Sequence, residues 1–341
     1  MRTLNEVYSS LSSRRRYEVW FLRMGLADGG GAWWFRYLLS NPGRGGCSEI
    51  SRGLPVQVWA TWFPRDGPAQ TFVQGFPVES LALSGRGEDP FYFRVSENEI
   101  EQNSCRGALQ VDGHQIAWNL DYRSSFRMTL SNKGWMGFSR TPHSNARFSG
   151  EVTLDGVRFA GDPLGFGLQG HNCGYQHRGY WKWVHAYFLR PGASSSTLEA
   201  LVYDMPLGLV FRKVVLWHDL KRHVFRNLRE HEGLGRGVVH ADPDCFRWNF
   251  RCSSPGGLGL DVWIDGSGSG LHRVQYDKTD CSGSFEVTNN SLAKAVVRVE
   301  RNRALVDRLE ATGGAVLEMA GPRVVAASSN LTMPLVSESA H

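Results

Sequence analysis

A chain of 341 residues that is 41% apolar and 12% aromatic can bury most of its surface without disulfides or metals, and is too apolar to be disordered. Its formal charge of +5 is scattered among acids, apart from Arg14–Arg16 and Lys221–Arg222. It therefore lacks the basic stripe of a nucleic-acid-binding protein. No apolar run of about 18 residues is present, so no transmembrane helix is expected.

The opening, Met1 to Arg16, is polar and has no apolar core of the kind a secretory signal needs; residues 4–13 allow one or two helical turns. Short runs rich in Val, Trp, Tyr and Phe follow: Tyr17–Met24, Ala32–Leu39, Val56–Phe63, Ala69–Phe76, Phe91–Val95 and Gln115–Tyr122. They continue with Tyr180–Leu189, Leu198–Tyr203, Leu209–Trp217 and Phe246–Cys252. The last are Gly283–Asn289, Ala295–Glu300, Asp307–Ala311 and Ala315–Met319. Turn residues bound each run, which predicts an all-β protein whose short strands close into barrels or sandwiches. The Gly- and Ser-rich Pro191–Ser196 places the domain boundary there, giving barrels over 1–192 and 193–341. Two strands carry large residues on both faces. Trp33, Phe35, Tyr37 and Leu39 oppose Trp34, Arg36 and Leu38, while Val56, Val58, Ala60 and Trp62 oppose Gln57, Trp59, Thr61 and Phe63. Aromatics on both faces imply a large apolar cavity, an interface between two barrels, or both; the alternative is a well-filled sandwich core.

The segment Gly165–Phe188 is the most unusual. Its first half is punctuated by glycines, so its backbone can turn sharply or approach something closely. Its second half is a strand with Trp181, Trp183, His185 and Tyr187 on one face, opposite Lys182, Val184, Ala186 and Phe188. That stripe suits a cavity wall for a flat or polyene-like guest; the alternative is barrel core, with His185 bonded to a backbone carbonyl. His171, Cys173 and His177 do not match a standard structural zinc spacing, and no metal is expected. Asp204 ends the row Leu198, Ala200, Val202, where partial desolvation would raise its pKa and suit it to proton donation. Asp121, beside Trp118, is a second candidate inside the first barrel. The six cysteines include no C-x-x-C pair, so reduced thiols in a cytoplasmic protein are expected. P-loop, dinucleotide, nucleophile-elbow and zincin signals are missing, which leaves cofactor-free chemistry or simple binding.

The runs EVWFLR (18–23), WWFRYLL (33–39), SGEVTLDG (149–156), GHNCGYQH (170–177) and WKWVHAYF (181–188), in this order, resemble the hydroxyneurosporene synthase, tocopherol cyclase and AttH group over roughly residues 17–320. The resemblance implies two lipocalin-like antiparallel β-barrels packed in tandem, acting without a cofactor on long apolar substrates. In the carotenoid hydratase branch, a His-x-Trp pair and a Tyr-x-Asp pair are implicated in protonating an alkene. Trp183 keeps the Trp of the first pair, with Trp181 in place of the His. Asp204 keeps the Asp of the second, with Val202 in place of the Tyr and Tyr203 beside it. These departures count against carotenoid hydration itself. Asn172 keeps the Asn of a G-x-N-W-G turn in which Cys173 replaces the Trp.

The resulting expectation is an acid-initiated hydratase or cyclase of an isoprenoid or polyene-like substrate. Asp204, Trp183 and His185 would act in catalysis. Trp181, Tyr187, Tyr203, Asn172, His177, Asp121 and Trp118 would line the substrate site. The alternatives are a cyclase that only preorganises its substrate, and a lipocalin-like carrier. The expected partner is a hydrophobic small molecule, with at most peripheral membrane contact.

Overall fold

The computed structural model describes residues 4–8, 16–41, 54–87, 89–132, 137–175, 177–190, 195–231, 246–268 and 270–321. Among these there is no α-helix, and the architecture is the expected all-β one. Two antiparallel sheets follow one another along the chain.

The first sheet begins with β1 (Arg16–Leu26), β2 (Gly31–Asn41), β3 (Val56–Pro64) and β4 (Gln70–Phe76). It continues with β5 (Leu81–Ser84), β6 (Tyr92–Val95), β7 (Asn98–Glu101), β8 (Ser104–Val111) and β9 (His114–Arg123). It ends with β10 (Met128–Asn132) and the long pair β11 (Gly137–Leu154) and β12 (Val157–Gly174). The hydrogen-bonded order is β4-β3-β2-β1-β12-β11-β9-β8-β7-β6-β5, with β10 also on β11, and β4 curls round to meet β8.

The second sheet contains β13 (Trp181–Phe188), β14 (Ser196–Asp204), β15 (Val210–His218), β16 (Lys221–Phe225) and β17 (Arg229–Glu230). Its remaining strands are β18 (Arg247–Ser253), β19 (Leu258–Asp265), β20 (His272–Asp277), β21 (Ser284–Arg301) and β22 (Ala304–Ala320). Their order is β16-β15-β14-β13-β22-β21-β19-β18-β17, with β20 also on β21. The strand pattern led us to expect an all-β protein of two barrels, and the family resemblance implied that they are lipocalin-like and in tandem, as these sheets are.

Each barrel has its own core. Trp20, Trp33, Phe35, Tyr37 and Trp118 fill the first, and Val184, Phe188, Phe225, Trp248 and Phe250 fill the second. A third cluster, including Phe21, Trp34, Trp59, Phe63, Trp181 and Trp183, lies where the barrels meet. The two-faced aromatic strands β2 and β3 are explained by this arrangement: one face fills a barrel and the other faces the neighbouring barrel.

Four expectations change. The sheets divide at residues 175–180 rather than at 192, so β13, expected to close the first barrel, opens the second. Of the two readings of 165–174, sharp turning fails and close approach holds, because the segment is the last half of an 18-residue strand. Its glycines permit close approach: a Cβ on Gly167 would lie 1.9 Å from the Arg23 carbonyl oxygen, and one on Gly170 would lie 2.2 Å from the Phe21 ring. Cys281 is disulfide-bonded, whereas Cys105, Cys173 and Cys252 are free thiols and Cys47 and Cys245 lie outside the described residues. In place of helical turns, residues 4–8 thread into the first barrel: Asn5 bonds Gln169 at 3.2 Å and Val7 joins the core, while 9–13 lie outside the described residues.

Candidate active site

Strand alternation on β13 fixes where the site lies. Val184, Ala186 and Phe188 point into the second barrel, so Trp181 and Trp183 on the other face point at the first. On β14, which pairs with β13, Leu198, Ala200 and Val202 likewise point inward, leaving Glu199, Leu201 and Tyr203 facing the seam. The rings do not fill this seam completely. A cavity of about 180 Å³ remains, walled by Phe21, Trp34 and Trp59 from the first barrel and Trp181, Trp183 and Tyr203 from the second.

Two acids stand on this aromatic wall, and each is held by one member of the Trp-x-Trp pair. The Trp183 indole Nε1 donates to Glu199 Oε1 at 3.0 Å, and Thr141 Oγ1 of the first barrel lies 2.9 Å from both Glu199 oxygens. Burial pushes the Glu199 pKa up to about 7, against the pull of those two bonds and of Lys213. Because the indole donates to Oε1, the carboxyl carries its proton on Oε2 when it is neutral. The Trp181 indole Nε1 donates to Glu318 Oε1 at 3.0 Å, and Arg36 reaches Glu318 Oε2 at 3.3 Å. Burial raises the Glu318 pKa as well, while Arg36 and Trp181 pull it back down. Arg36, lowered by burial to about 10, stays cationic at neutral pH, with its guanidinium 4.3 Å from the Trp34 ring centre and 4.6 Å from that of Tyr276.

Five of the expected site residues line the cavity: Trp181, Trp183, Tyr203, Asn172 and His177. The Tyr203 hydroxyl lies 2.7 Å from Ser131 Oγ across the seam. His177 stacks on Tyr17 at 4.0 Å, and burial together with Arg36 lowers its pKa to about 3, leaving it neutral.

The other five lie elsewhere. Asp204 is on the barrel-core face of β14, at its rim, where its carboxylate accepts the Tyr180 N–H at 3.3 Å; it is not on the cavity wall. His185 shares the face of Trp183 but lies beyond the cavity, donating from Nε2 to the Ser144 carbonyl at 2.7 Å; burial lowers its pKa to about 3. Tyr187, further along, stacks on Phe166 at 5.2 Å. Asp121 is exposed because the register of β9 turns Trp118 and Leu120 inward instead. Trp118 is first-barrel core, donating to the Tyr37 hydroxyl at 2.9 Å. The His171, Cys173 and His177 trio does not assemble either: His171 is buried against Glu18 at 2.8 Å and the Leu4 carbonyl at 2.8 Å. Among the described residues no group of three His, Cys, Asp or Glu side chains is placed to hold a metal.

Glu199, Glu318 and Thr141 are cavity residues that the sequence pattern did not single out, while Trp34 and Arg36 reach the cavity from the second face of the two-faced strand. A signal existed for Glu199: it is a charged residue inside a run of apolar ones, on the same face as Tyr203. Glu318 has the same character within Ala315–Met319.

Fold and site together define a tandem-barrel lipocalin-like protein with an acid-bearing cavity at the seam. No family model matches the chain, and no curated protein matches it. Its solved structural counterparts include CghA with Sch210972, at TM-score 0.60 and 12% identity over 90% of this chain and 88% of that one. Kievitone hydratase from Nectria haematococca matches at TM-score 0.55 and 12% identity, over 95% and 96% of the two chains. A putative AttH from Nitrosomonas europaea matches at TM-score 0.51 and 12% identity, over 90% and 93%. At such identities the likeness establishes a shared fold.

Proposed function

We propose that the protein is a cofactor-independent hydratase or cyclase whose acid is Glu199, acting on an alkene-bearing, isoprenoid- or polyene-like small molecule. The observation that carries this reading is a buried carboxyl group on the wall of an aromatic cavity, its pKa raised by burial to about 7 so that a protonated fraction persists at neutral pH. Such a group can give its proton to an alkene carbon. The π pair becomes the new C–H bond and positive charge appears on the neighbouring carbon, beside the faces of Trp183, Trp181 and Phe21. In hydration, water adds to that carbon and its surplus proton passes to Glu318, whose Arg36 partner favours the charged form until exchange with solvent resets both acids. In cyclisation a second alkene of the same molecule takes the place of water, and the new cation loses a proton to the Glu199 or Glu318 carboxylate, which ends the reaction. Kievitone hydratase, with the same fold, lends support to the hydratase side.

The test is to incubate the protein with a panel of alkene-bearing isoprenoids and polyketides and follow products by mass spectrometry. Addition of one water signals hydration, and an isobaric product with a new retention time signals cyclisation. Glu199→Gln should abolish turnover while retaining binding, and Asp204→Asn should preserve turnover. Turnover that survives Glu199→Gln would refute the acid mechanism and favour a cyclase that only preorganises its substrate. A guest recovered unaltered from the wild type would make the protein a carrier.

A further inference from the structure

Three polar atoms on the cavity wall are buried with no hydrogen-bond partner among the described residues: Trp34 Nε1, Asn172 Oδ1 and His177 Nδ1. Trp34 is only 4% exposed, and its indole N–H can do nothing but donate. Asn172 Oδ1 can only accept, and a neutral imidazole offers either role at Nδ1 according to its tautomer. The Arg36 guanidinium lies against the same Trp34 ring, adding positive charge beside the indole. A buried polar group left unpaired is costly, so three around one cavity are a poor lining for a hydrocarbon and a good one for an oxygenated guest.

We infer that the substrate is an oxygenated amphiphile: an apolar body with a carbonyl-type oxygen toward Trp34 and Arg36 and a hydroxyl toward Asn172 and His177. This narrows the substrate class beyond a plain isoprenoid or polyene hydrocarbon. It rests on the proposed function only in taking the cavity as the substrate site. A site built to pair such groups discriminates strongly against analogues that lack them, since its own polar atoms are then stranded.

A matched pair of rigid probes tests this, 4'-hydroxychalcone, which carries a ketone and a phenol, and trans-stilbene, which carries neither. Affinities are read from quenching of tryptophan fluorescence. The wild type should bind the hydroxychalcone at least about tenfold more tightly, opposite to the order set by hydrophobicity alone. Trp34→Phe keeps an aromatic ring and removes the indole N–H, and Asn172→Leu keeps the branched shape without the polar atoms. Each should weaken the hydroxychalcone and leave stilbene unchanged, with near-ultraviolet circular dichroism verifying the fold. If Trp34→Phe misfolds, Asn172→Leu alone supplies the comparison. Stilbene binding as tightly as the hydroxychalcone, neither probe binding, or a ratio unmoved in the folded variants would overturn the inference. Because only binding is read, a preference that persists while no compound is ever turned over would sink the enzymatic reading and leave this one standing.

Discussion

Glu199 and Asp204 share a strand but sit an odd number of positions apart, so they point to opposite faces of it. The sequence shows that much. What it does not show is which face borders a cavity, because an apolar row ending in an acid looks alike whether it fills a barrel or faces a seam. The consequence can be measured in stability against pH. Glu199 has a folded pKa of about 7, above the 4.5 of an unfolded glutamate. The native state therefore holds its proton more tightly, and this contribution is complete below pH 4.5 and is lost as pH rises through about 7. The span corresponds to about 3 kcal/mol. His177 and His185 act in the opposite sense: with folded values near 3 against 6.5, both add stability above 6.5 that is lost as pH falls toward 3. The net curve mixes these, so the difference between wild type and Glu199→Gln isolates the acid. That difference, from urea unfolding between pH 4.5 and 8, should shift by roughly 3 kcal/mol against the wild type as pH rises. A difference that stays flat would mean an ordinary, ionised Glu199.

Strands β12 and β13 were unequally legible, for a physical reason. β13 announces itself by an alternating row of rings, and its two faces are read correctly from pattern alone. The end of β12, GFGLQGHNCG, has few side chains to alternate and so looks like turning backbone. Its strand character comes from pairing with β1, where Arg23 faces Leu168 and Phe21 faces Gly170. Long-range pairing of this kind leaves no local trace. The missing side chain at Gly170 lets the Phe21 ring lie over the strand and form part of the cavity wall, so the glycines shape the site as well as the sheet. Gly167 is the sharper test, because a methyl group there would strike the backbone of β1 rather than a movable side chain. Gly167→Ala should cost about 3 kcal/mol or more in chemical denaturation. A cost near the few tenths expected for an open strand position would show that β1 and β12 do not pack this closely.

At the scale of the whole molecule, the two sheets have the same layout. Four strands run outward from β1 as from β13, each first strand pairs with the last strand of its sheet, and each sheet ends in a long hairpin with a short strand beside it. The sequence offered no repeat of motif, since the two halves share hydrogen-bonding order rather than residues. The seam repeats the symmetry. His185 of β13 donates to the carbonyl of Ser144, where the register of β11 shifts; Arg23 of β1 donates to the carbonyl of Ser291, where the register of β21 shifts. Arg23 goes on to the Ala315 carbonyl at 3.0 Å and those of Gly313 and Gly314 at 3.3 Å. Each barrel thus inserts one polar side chain from its first strand into a bulge of the other. Neither barrel holds the site alone: Thr141 and Arg36 come from the first, Glu199 and Glu318 from the second. Arg23 does not line the cavity, so its removal affects the chemistry only through the fit of the barrels. Arg23→Met keeps the bulk and strands the bulge carbonyls, and should destabilise the protein by about 3 kcal/mol. If docking assembles the acid site, ligand affinity and the elevated Glu199 pKa should fall together in this variant, the latter followed as the wild-type-against-Gln stability difference in the Arg23→Met background. A variant that loses stability while binding and titrating as before would show that each barrel carries its share of the site without its neighbour.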